Sequence, residues 1–289
     1  MTRVGYLGPP GTFSEEALRS SADRAGVADA ETVALPTIRE VVLAVARGEV
    51  QRAIVPMENS LEGSVNEAVD ALVHDAPLVR IIGETVLAVH YALIAREGID
   101  VSQARVVLSH PQALAQCARF VRESLPLARP QATTSTAEAV REAIASGQPA
   151  CALGTRLAAE LYGGSVVQEG VEDDPSNVTR FVWLASDGDW SAPRDAPGEW
   201  KSSVVFSGDG DGTPGWLVAC LAEFASRGVN LTRIESRPAK RRLGHYLFLA
   251  DIAGRADIGP SALAVAALAG RCEDVRVLGV YPAARASPD

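Results

Sequence analysis

Up to about residue 186, short apolar runs alternate with stretches in which apolar residues recur every three or four positions. "RVGYLG" precedes a helical pattern from Thr12, "RAIVP" one from Ser64, "RVVLS" one from Ser109, and "ACALG" one from Thr155. The short runs predict buried strands, and the periodic stretches predict amphipathic helices. This alternation indicates an α/β fold in which the strand-to-helix turns collect at the carboxyl ends of the strands.

Several predicted helices begin with a hydroxyl residue that is followed three residues later by Glu or Gln. This spacing predicts a capping box, in which the hydroxyl accepts from an early backbone N–H and the later side chain reaches back. The pairs are Thr12 with Glu15, Ser64 with Glu67, Ser109 with Gln112 and Ser135 with Glu138. Because helix N-termini present free N–H groups, the expected ligand is a small anionic molecule.

The segment over 186–200, "SDGDWSAPRDAPGEW", lacks an apolar period and is rich in Pro, Gly, Ser and Asp, which is typical of a linker. Beyond it the pattern becomes βαββαβ, the ferredoxin-like order. Its first helix is predicted over 214–227, with Thr213 as N-cap. The sequence therefore predicts one domain over 1–186 and a second over 200–283. Since each has its own apolar pattern, we expect a chain ending near residue 190 to retain its activity.

Composition excludes several classes of function. Of 289 residues, 47% are apolar, and 27 Lys and Arg against 36 Asp and Glu give a net charge of −9 without a basic cluster. This balance argues against a nucleic-acid partner. The first residues lack the pattern of an export signal, and no apolar run approaches the roughly 20 residues of a membrane span. We therefore expect a cytoplasmic protein with no membrane partner.

The cysteines are separated widely along the chain and form no C-x-x-C pair. With only four histidines present, they predict no metal site. Each lies in an apolar context without the positive charge that activates a thiolate, so we expect reduced core thiols. They are Cys117, Cys151, Cys220 and Cys272.

The glycines of "GYLGPPGTFSEEAL", residues 5–18, follow G-x-x-G-x-x-G and not the G-x-G-x-x-G of dinucleotide-binding turns. Two interpretations remain open for this stretch. It forms either a helix N-terminus that holds a carboxylate or a tight turn that simply requires glycine.

Five blocks, in order along nearly the whole chain, resemble the prephenate dehydratase family: "YLGPPGTFSEEA", "VPMENSLEG", "SHPQALAQC", "DDPSNVTRFVWLA" and "LTRIESRP". The resemblance implies two α/β lobes similar to a type II periplasmic binding protein, with the active site between them, followed by an ACT regulatory domain of the ferredoxin-like βαββαβ type. It also implies conversion of prephenate to phenylpyruvate, carbon dioxide and water in L-phenylalanine biosynthesis. No metal or organic cofactor is expected.

By the same resemblance, Thr179 is the essential residue, and its hydroxyl can donate to the ring hydroxyl that leaves. Asn59 and Ser109 are expected to act with it. The expected substrate-binding residues are Gln116, Ser60, Arg180 and Phe181.

The expected roles of three residues around this site follow from whether their side chains are charged or apolar. Arg180 can neutralise a substrate carboxylate or brace the lobe interface, whereas Phe181 begins an apolar wall. Glu58 is expected to be structural, because an ionised carboxylate close to the dianionic substrate would repel it.

The resemblance further implies inhibition by L-phenylalanine, bound between ACT domains of neighbouring subunits, and hence a homodimer or homotetramer. The expected effector residues are Gly215, Trp216, Leu217, Val218, Glu235, Ser236, Arg237 and Pro238. Trp216 stands where the family has alanine. Its indole either packs into the domain core or points toward the interface, where it narrows the effector pocket or stacks on the ligand ring.

Three alternatives share this fold. An arogenate dehydratase would act on a substrate that carries an ammonium beside its carboxylate. A small-anion sensor would bind its ligand without transforming it, and the complete "TRF" and "SHPQ" blocks count against it. Thr179 and the attached ACT domain argue against a non-aromatising prephenate decarboxylase.

Overall fold

The structure, a computed structural model, describes residues 1–188, 198–208, 212–240 and 244–284. The chain forms two compact units, and the first holds Met1–Val69 and Val86–Phe181. The second holds Asp70–Thr85 and Val182–Asp289. Because an internal segment of the first part of the chain belongs to the second unit, no single cut separates the two. Most of the linker expected over 186–200 lies outside the described residues.

The first lobe of the first unit is a parallel sheet with helices. Its elements are β1 (Arg3–Leu7), α1 (Phe13–Ser21), β2 (Glu31–Leu35), α2 (Ile38–Ala46), β3 (Arg52–Asn59), β4 (Gly63–Ser64) and α3 (Asn66–Asp70). Strand β1 pairs in parallel with both β2 and β3. Strand β3 is apolar and buried over Ala53–Val55, as expected for a strand with both faces covered.

The second lobe contains a five-stranded mixed sheet. Two strands, β5 (Val79–Ala88) and β11 (Val178–Ser186), flank it in sequence, and each has residues in both units. Between them lie β6 (Ala92–Ala95), β7 (Val106–Ser109), α4 (Pro111–Gln116), α5 (Ala118–Ser124), β8 (Arg129–Ala132), α6 (Thr136–Ala145), β9 (Ala150–Gly154), α7 (Arg156–Tyr162) and β10 (Ser165–Glu169). The strand order is β10-β6-β9-β7-β8. Separate apolar clusters cover the two faces of β6 and β9, which explains why both strands are continuously apolar.

The second unit carries the predicted βαββαβ order. Its elements are β12 (Trp200–Ser207), α8 (Trp216–Ala225), β13 (Leu231–Pro238), β14 (Tyr246–Ala253), α9 (Gly259–Ala269) and β15 (Asp274–Pro282). The strand order is β13-β14-β12-β15, with the first part of β5 beside β15. Both helices pack on one face of this sheet around Phe206 and Phe224. The predicted fold class, a bilobal α/β unit followed by a βαββαβ unit, is therefore confirmed.

The sequence predicted where helices occur more accurately than it predicted the residue at which each helix begins. The prediction that Ser135 caps a helix is confirmed, since its hydroxyl accepts from Glu138 N at 3.0 Å. Thr155 likewise caps α7 by accepting from Ala158 N at 2.9 Å. The cap predicted for Thr12 is wrong: the helix does start after it, but the Thr12 hydroxyl donates to Leu7 O at 2.9 Å.

Three further helix starts were misplaced. Ser64 belongs to β4, and the helix begins at Asn66. His110, not Ser109, is the N-cap of α4, because Ser109 is still the last residue of a buried strand. Helix α8 begins at Trp216, not at 214, since Gly215 occupies the N-cap with a φ of 86° that suits glycine.

The four cysteines are free thiols, as predicted. Burial raises the pKa of Cys117 and of Cys151 to about 12. Cys220 and Cys272 are 52 residues apart in sequence, yet their sulfur atoms lie 3.7 Å from each other. Among the described residues no helix has both the length and the apolar character needed to cross a bilayer.

Candidate active site

The end of β3 and the start of β11 are joined through Ser60. Its backbone N–H donates to Val178 O at 2.9 Å, and its hydroxyl accepts from Val178 N at 3.0 Å. This pairing places Asn59 and Thr179, predicted to act together, side by side. The structure thus assigns Ser60 to holding the two strands in register.

The amide of Asn59 has a defined orientation. Its Oδ1 accepts from the backbone N–H groups of Leu61 and Glu62, both at 3.0 Å. Because backbone N–H groups only donate, Nδ2 must face the other side, and it donates to Thr179 Oγ1 at 2.9 Å. The Thr179 hydroxyl therefore accepts from Asn59 and directs its own proton elsewhere. Thr179 is only 8% exposed, so this hydroxyl is largely shielded from water.

Gln116, the last residue of α4, brings the second lobe to this site. Its Oε1 accepts from Asn177 Nδ2 at 3.0 Å and from the Tyr91 hydroxyl at 3.1 Å. Its Nε2 donates to Glu62 Oε1 at 3.2 Å. Burial raises the pKa of Tyr91 well above its ordinary value, which keeps its hydroxyl protonated as a donor. Side chains from both lobes thus form one hydrogen-bonded group around Thr179.

Arg180 and Glu58 form a separate pair. Arg180 Nε lies 3.5 Å from Glu58 Oε2, and the Arg180 side chain is only 11% exposed. Since successive strand residues point to opposite faces, Arg180 faces away from Thr179, and Glu58 faces away from Asn59. Phe181 points to the same side as Thr179 but is 2% exposed and belongs to the core. The geometry places these residues in support of the strand and not beside the Thr179 hydroxyl.

Ser109 is also placed behind the site. It is fully buried, and its hydroxyl donates to Leu153 O at 2.7 Å. The Ser109 hydroxyl therefore donates its proton to a hydrogen bond between β7 and β9. The structure brings together Asn59, Gln116 and Thr179 among the predicted residues, while Ser109 orients the strand that leads into α4.

The loop before α1 is closed by its own side chains. Gly11 N donates to Glu15 Oε2 at 2.7 Å, and Thr155 donates from its hydroxyl to Gly11 O at 2.6 Å. Gly11 has a φ of 88°, and a Cβ at this position would lie 2.9 Å from Ala158 Cα. The glycine is required by a tight turn packed on α7, and the carboxylate held at this helix start is that of Glu15.

In the βαββαβ unit, Trp216 faces the domain core. Its ring packs near Phe206 and Phe248, with centroids 6.4 and 6.0 Å away, and its Nε1 donates to Arg271 O at 3.0 Å. The two open interpretations of this residue are thereby resolved in favour of core packing. Of its neighbours in the predicted effector turn, Val218 is 70% exposed.

The second predicted effector segment, Glu235–Pro238, ends β13. Arg237 Nη2 donates to Asp70 Oδ1 at 3.0 Å, and Lys240 Nζ lies 2.7 Å from Asp70 Oδ2. Burial opposes ionisation of Asp70, but these two cations hold its pKa below the ordinary value. An arginine of the effector segment is therefore paired with the last residue of α3, the helix that follows the Asn59 turn.

The sequence did not single out Asn177, Tyr91 or Glu62. Asn177 had a usable signal, because it stands two residues before Thr179 and strand alternation turns both to one face. Tyr91 and Glu62 had none, since only the meeting of the two lobes brings them to Gln116.

Comparison with known proteins identifies one family. The family model of prephenate dehydratase matches residues 4–189. Prephenate dehydratase of Mycolicibacterium gilvum is 37% identical over 289 residues, which cover 98% of this chain and 91% of that protein. Prephenate dehydratase of Mycobacteroides abscessus is 38% identical and is aligned over 100% of this chain and 92% of its own.

Two solved structures are similar over nearly the whole chain. Prephenate dehydratase from Arthrobacter aurescens in complex with L-Phe has a TM-score of 0.87 and 36% identity, covering 97% of this chain and 90% of that one. GqqA, described as a novel type of quorum-quenching acylase, has a TM-score of 0.86 and 30% identity, covering 97% and 98%. On the family match and the full-length relatives, the chain belongs to the prephenate dehydratase family and is an enzyme of that class.

Proposed function

We propose that this enzyme converts prephenate to phenylpyruvate with the Thr179 hydroxyl as the donor to the ring oxygen that leaves. One observation carries the assignment: Thr179 Oγ1 accepts from Asn59 Nδ2 at 2.9 Å, so its proton is available in another direction. A hydroxyl that already accepts a hydrogen bond is also a stronger donor, because hydrogen bonds in a chain polarise one another.

The reaction breaks two bonds of prephenate. As the ring carboxylate leaves as carbon dioxide, the electron pair of its C–C bond enters the ring. The C–O bond at the opposite ring carbon breaks with its pair on oxygen, which takes a proton and leaves as water. Negative charge develops on that oxygen, and a positioned donor in a poorly hydrated site stabilises it. Thr179 supplies this donor, polarising the oxygen or relaying the proton.

Asn59 and Gln116 suit a dianionic substrate because amides orient it without adding charge. Within this proposal Asn59 holds the Thr179 hydroxyl and Gln116 contacts the substrate. Ser109, Arg180 and Phe181 act through the strands on which they lie, and Ser60 acts through the turn that follows β3, in keeping with their hydrogen bonds and burial.

A turnover assay tests the function and its alternatives. Dialysed protein is incubated with prephenate and, separately, with arogenate, and the product of each is quantified. We expect phenylpyruvate from prephenate at a kcat/KM at least about tenfold above that for arogenate, because the amides around Thr179 are neutral and the carboxylate of Glu62 already accepts from Gln116 Nε2. A sensor would yield no phenylpyruvate, and a preference for arogenate would overturn the substrate assignment.

We further propose that the βαββαβ unit is an ACT regulatory domain that binds L-phenylalanine, in a homodimer or homotetramer. The similar Arthrobacter aurescens protein is in complex with L-Phe. Because Arg237 holds Asp70 at the end of α3, an effector that recruits Arg237 changes a contact made by the helix following the Asn59 turn. Inhibition then follows from tighter binding of L-phenylalanine to an inactive arrangement.

Arg237→Ala is expected to lose inhibition by L-phenylalanine, whereas the natural chain is inhibited at millimolar concentrations. Trp216→Phe is the matched control: it keeps an aromatic ring in the core, so inhibition should persist. Initial rates against L-phenylalanine, with sedimentation to determine subunit number, provide the measurement. If the natural chain is insensitive or is active as a monomer, the regulatory proposal is wrong and the catalytic one is unaffected.

A further inference from the structure

Asn177 is the buried centre of the hydrogen-bonded group. It is 1% exposed and lies just before β11. Its Oδ1 accepts from Asn59 Nδ2 at 2.7 Å, and its Nδ2 donates to Gln116 Oε1 at 3.0 Å. Its backbone carbonyl accepts from Val89 N at 2.8 Å. One side chain therefore joins a residue of the first lobe to a residue of the second.

The direction of every donor in this group follows from backbone groups. The N–H groups of Leu61 and Glu62 occupy Asn59 Oδ1, so Asn59 presents Nδ2 to Asn177. Asn177 must then present Oδ1 to Asn59, which turns its Nδ2 toward Gln116.

The alternation of acceptor and donor continues to Gln116 in the second lobe. Gln116 Oε1 receives both Asn177 and the Tyr91 hydroxyl, and Gln116 Nε2 consequently points at Glu62. Asparagine fits position 177 because it accepts on one side and donates on the other at the same time.

From this geometry we infer that Asn177 is a positioning residue: its Oδ1 holds Asn59 Nδ2 in place beside Thr179, which fixes the direction of the Thr179 proton, and its Nδ2 orients the amide of Gln116. The inference rests on the proposed role of Thr179. Asn59 Nδ2 has two hydrogens for three acceptors, and Asn177 Oδ1 is the nearest of them at 2.7 Å. If that acceptor is lost, the amide turns toward Val178 O, 3.2 Å away, and the hydrogen bond that directs the Thr179 proton loses its fixed geometry.

The first test is Asn177→Ala. We expect kcat to fall about 10–100-fold, the range typical of residues that orient a site residue. KM should change less than kcat, because Gln116, the residue proposed to contact substrate, keeps its hydrogen bonds to Tyr91 and Glu62. A folded alanine variant with a kcat within twofold of the natural chain would overturn the inference.

A double-mutant cycle separates positioning from general damage. If Asn177 acts through Thr179, then Asn177→Ala should cost less than about twofold in a Thr179→Ala background. An equal loss in both backgrounds would overturn the inference. Thr179→Ala measured alone tests the proposed function independently, so a failure of one idea is distinguishable from a failure of the other.

Asn177→Asp keeps the test decisive if the alanine variant does not fold. An ionised carboxylate accepts from Asn59 but cannot donate to Gln116, whereas a protonated carboxyl does both. The ratio of variant to natural kcat should therefore rise as pH falls through the titration of the introduced group. Glu62, Tyr91, Glu172 and Asp173 surround Gln116 and Tyr91 in both proteins, so the quantity compared is the ratio of the two kcat values and not the kcat of the variant alone. A pH-independent ratio, or one that falls with acidification, would overturn the inference.

Discussion

Thr179→Ala is expected to fold as the natural chain does and to lose about 10²–10⁴-fold in kcat for prephenate. The mutation removes the donor to the leaving oxygen and leaves Asn59 Nδ2 with two other acceptors, so little stability is lost. Steady-state phenylpyruvate formation, with thermal unfolding as the check on folding, provides the measurement.

Thr179→Ser should retain more activity than the alanine variant, because it keeps a hydroxyl but loses the methyl group that fixes its rotamer. Thr32→Ala, at an exposed threonine of β2 in the same lobe, is the matched control and should leave kcat unchanged. Near-natural turnover by Thr179→Ala would contradict the proposed role.

A chain that ends at Gly188 is expected to unfold about 6–20 °C below the full chain and to lose most of its activity. The segment Asp70–Thr85 would lose its partners: Arg237 and Lys240 at Asp70, Lys201 at the buried Glu84, and strand β15 beside Ile81. Removing these contacts costs roughly 3–5 kcal/mol, and each kcal/mol corresponds to about 2–4 °C at this size. This expectation replaces the separability suggested by the composition of the linker.

The control is to add the missing part of the second unit back to the shortened chain. Adding residues 198–289 as a separate polypeptide should restore part of the lost stability, because it returns Lys201, Arg237 and β15 to their partners. A shortened chain that melts within about 3 °C of the full chain and turns over prephenate would show that the segment is stable by itself.

Local pattern was enough to predict the buried apolar strands β1, β3, β7 and β9 and the βαββαβ order of the second unit, because a strand buried on both faces is an apolar run. It did not single out β2, β5, β6, β8 or β10. Helix starts were harder: Ser64 and Ser109 have the residue type of a cap, but sheet pairing and burial keep both in strands. Capping offers about 1 kcal/mol, which a strand's hydrogen bonds and burial outweigh.

The site was predictable in part. Motif resemblance pointed to Asn59, Gln116 and Thr179, which the structure brings together. It did not distinguish residues facing the site from residues behind it, because that depends on which way a strand presents each side chain. Arg180 and Ser109 illustrate this: one turns to the opposite face, and the other gives its proton to the neighbouring strand.

The position of Trp216 also gives the βαββαβ unit a fluorescent reporter. Trp216 is the first residue of α8, the helix that bears the predicted effector turn. Its indole packs against Phe206 and Phe248, and its Nε1 donates to Arg271 O. Any effector that shifts this turn alters the polarity around the indole and so the wavelength of its emission. The difference in fluorescence between the natural chain and Trp216→Phe isolates that signal from the other tryptophans, and it follows effector binding without substrate.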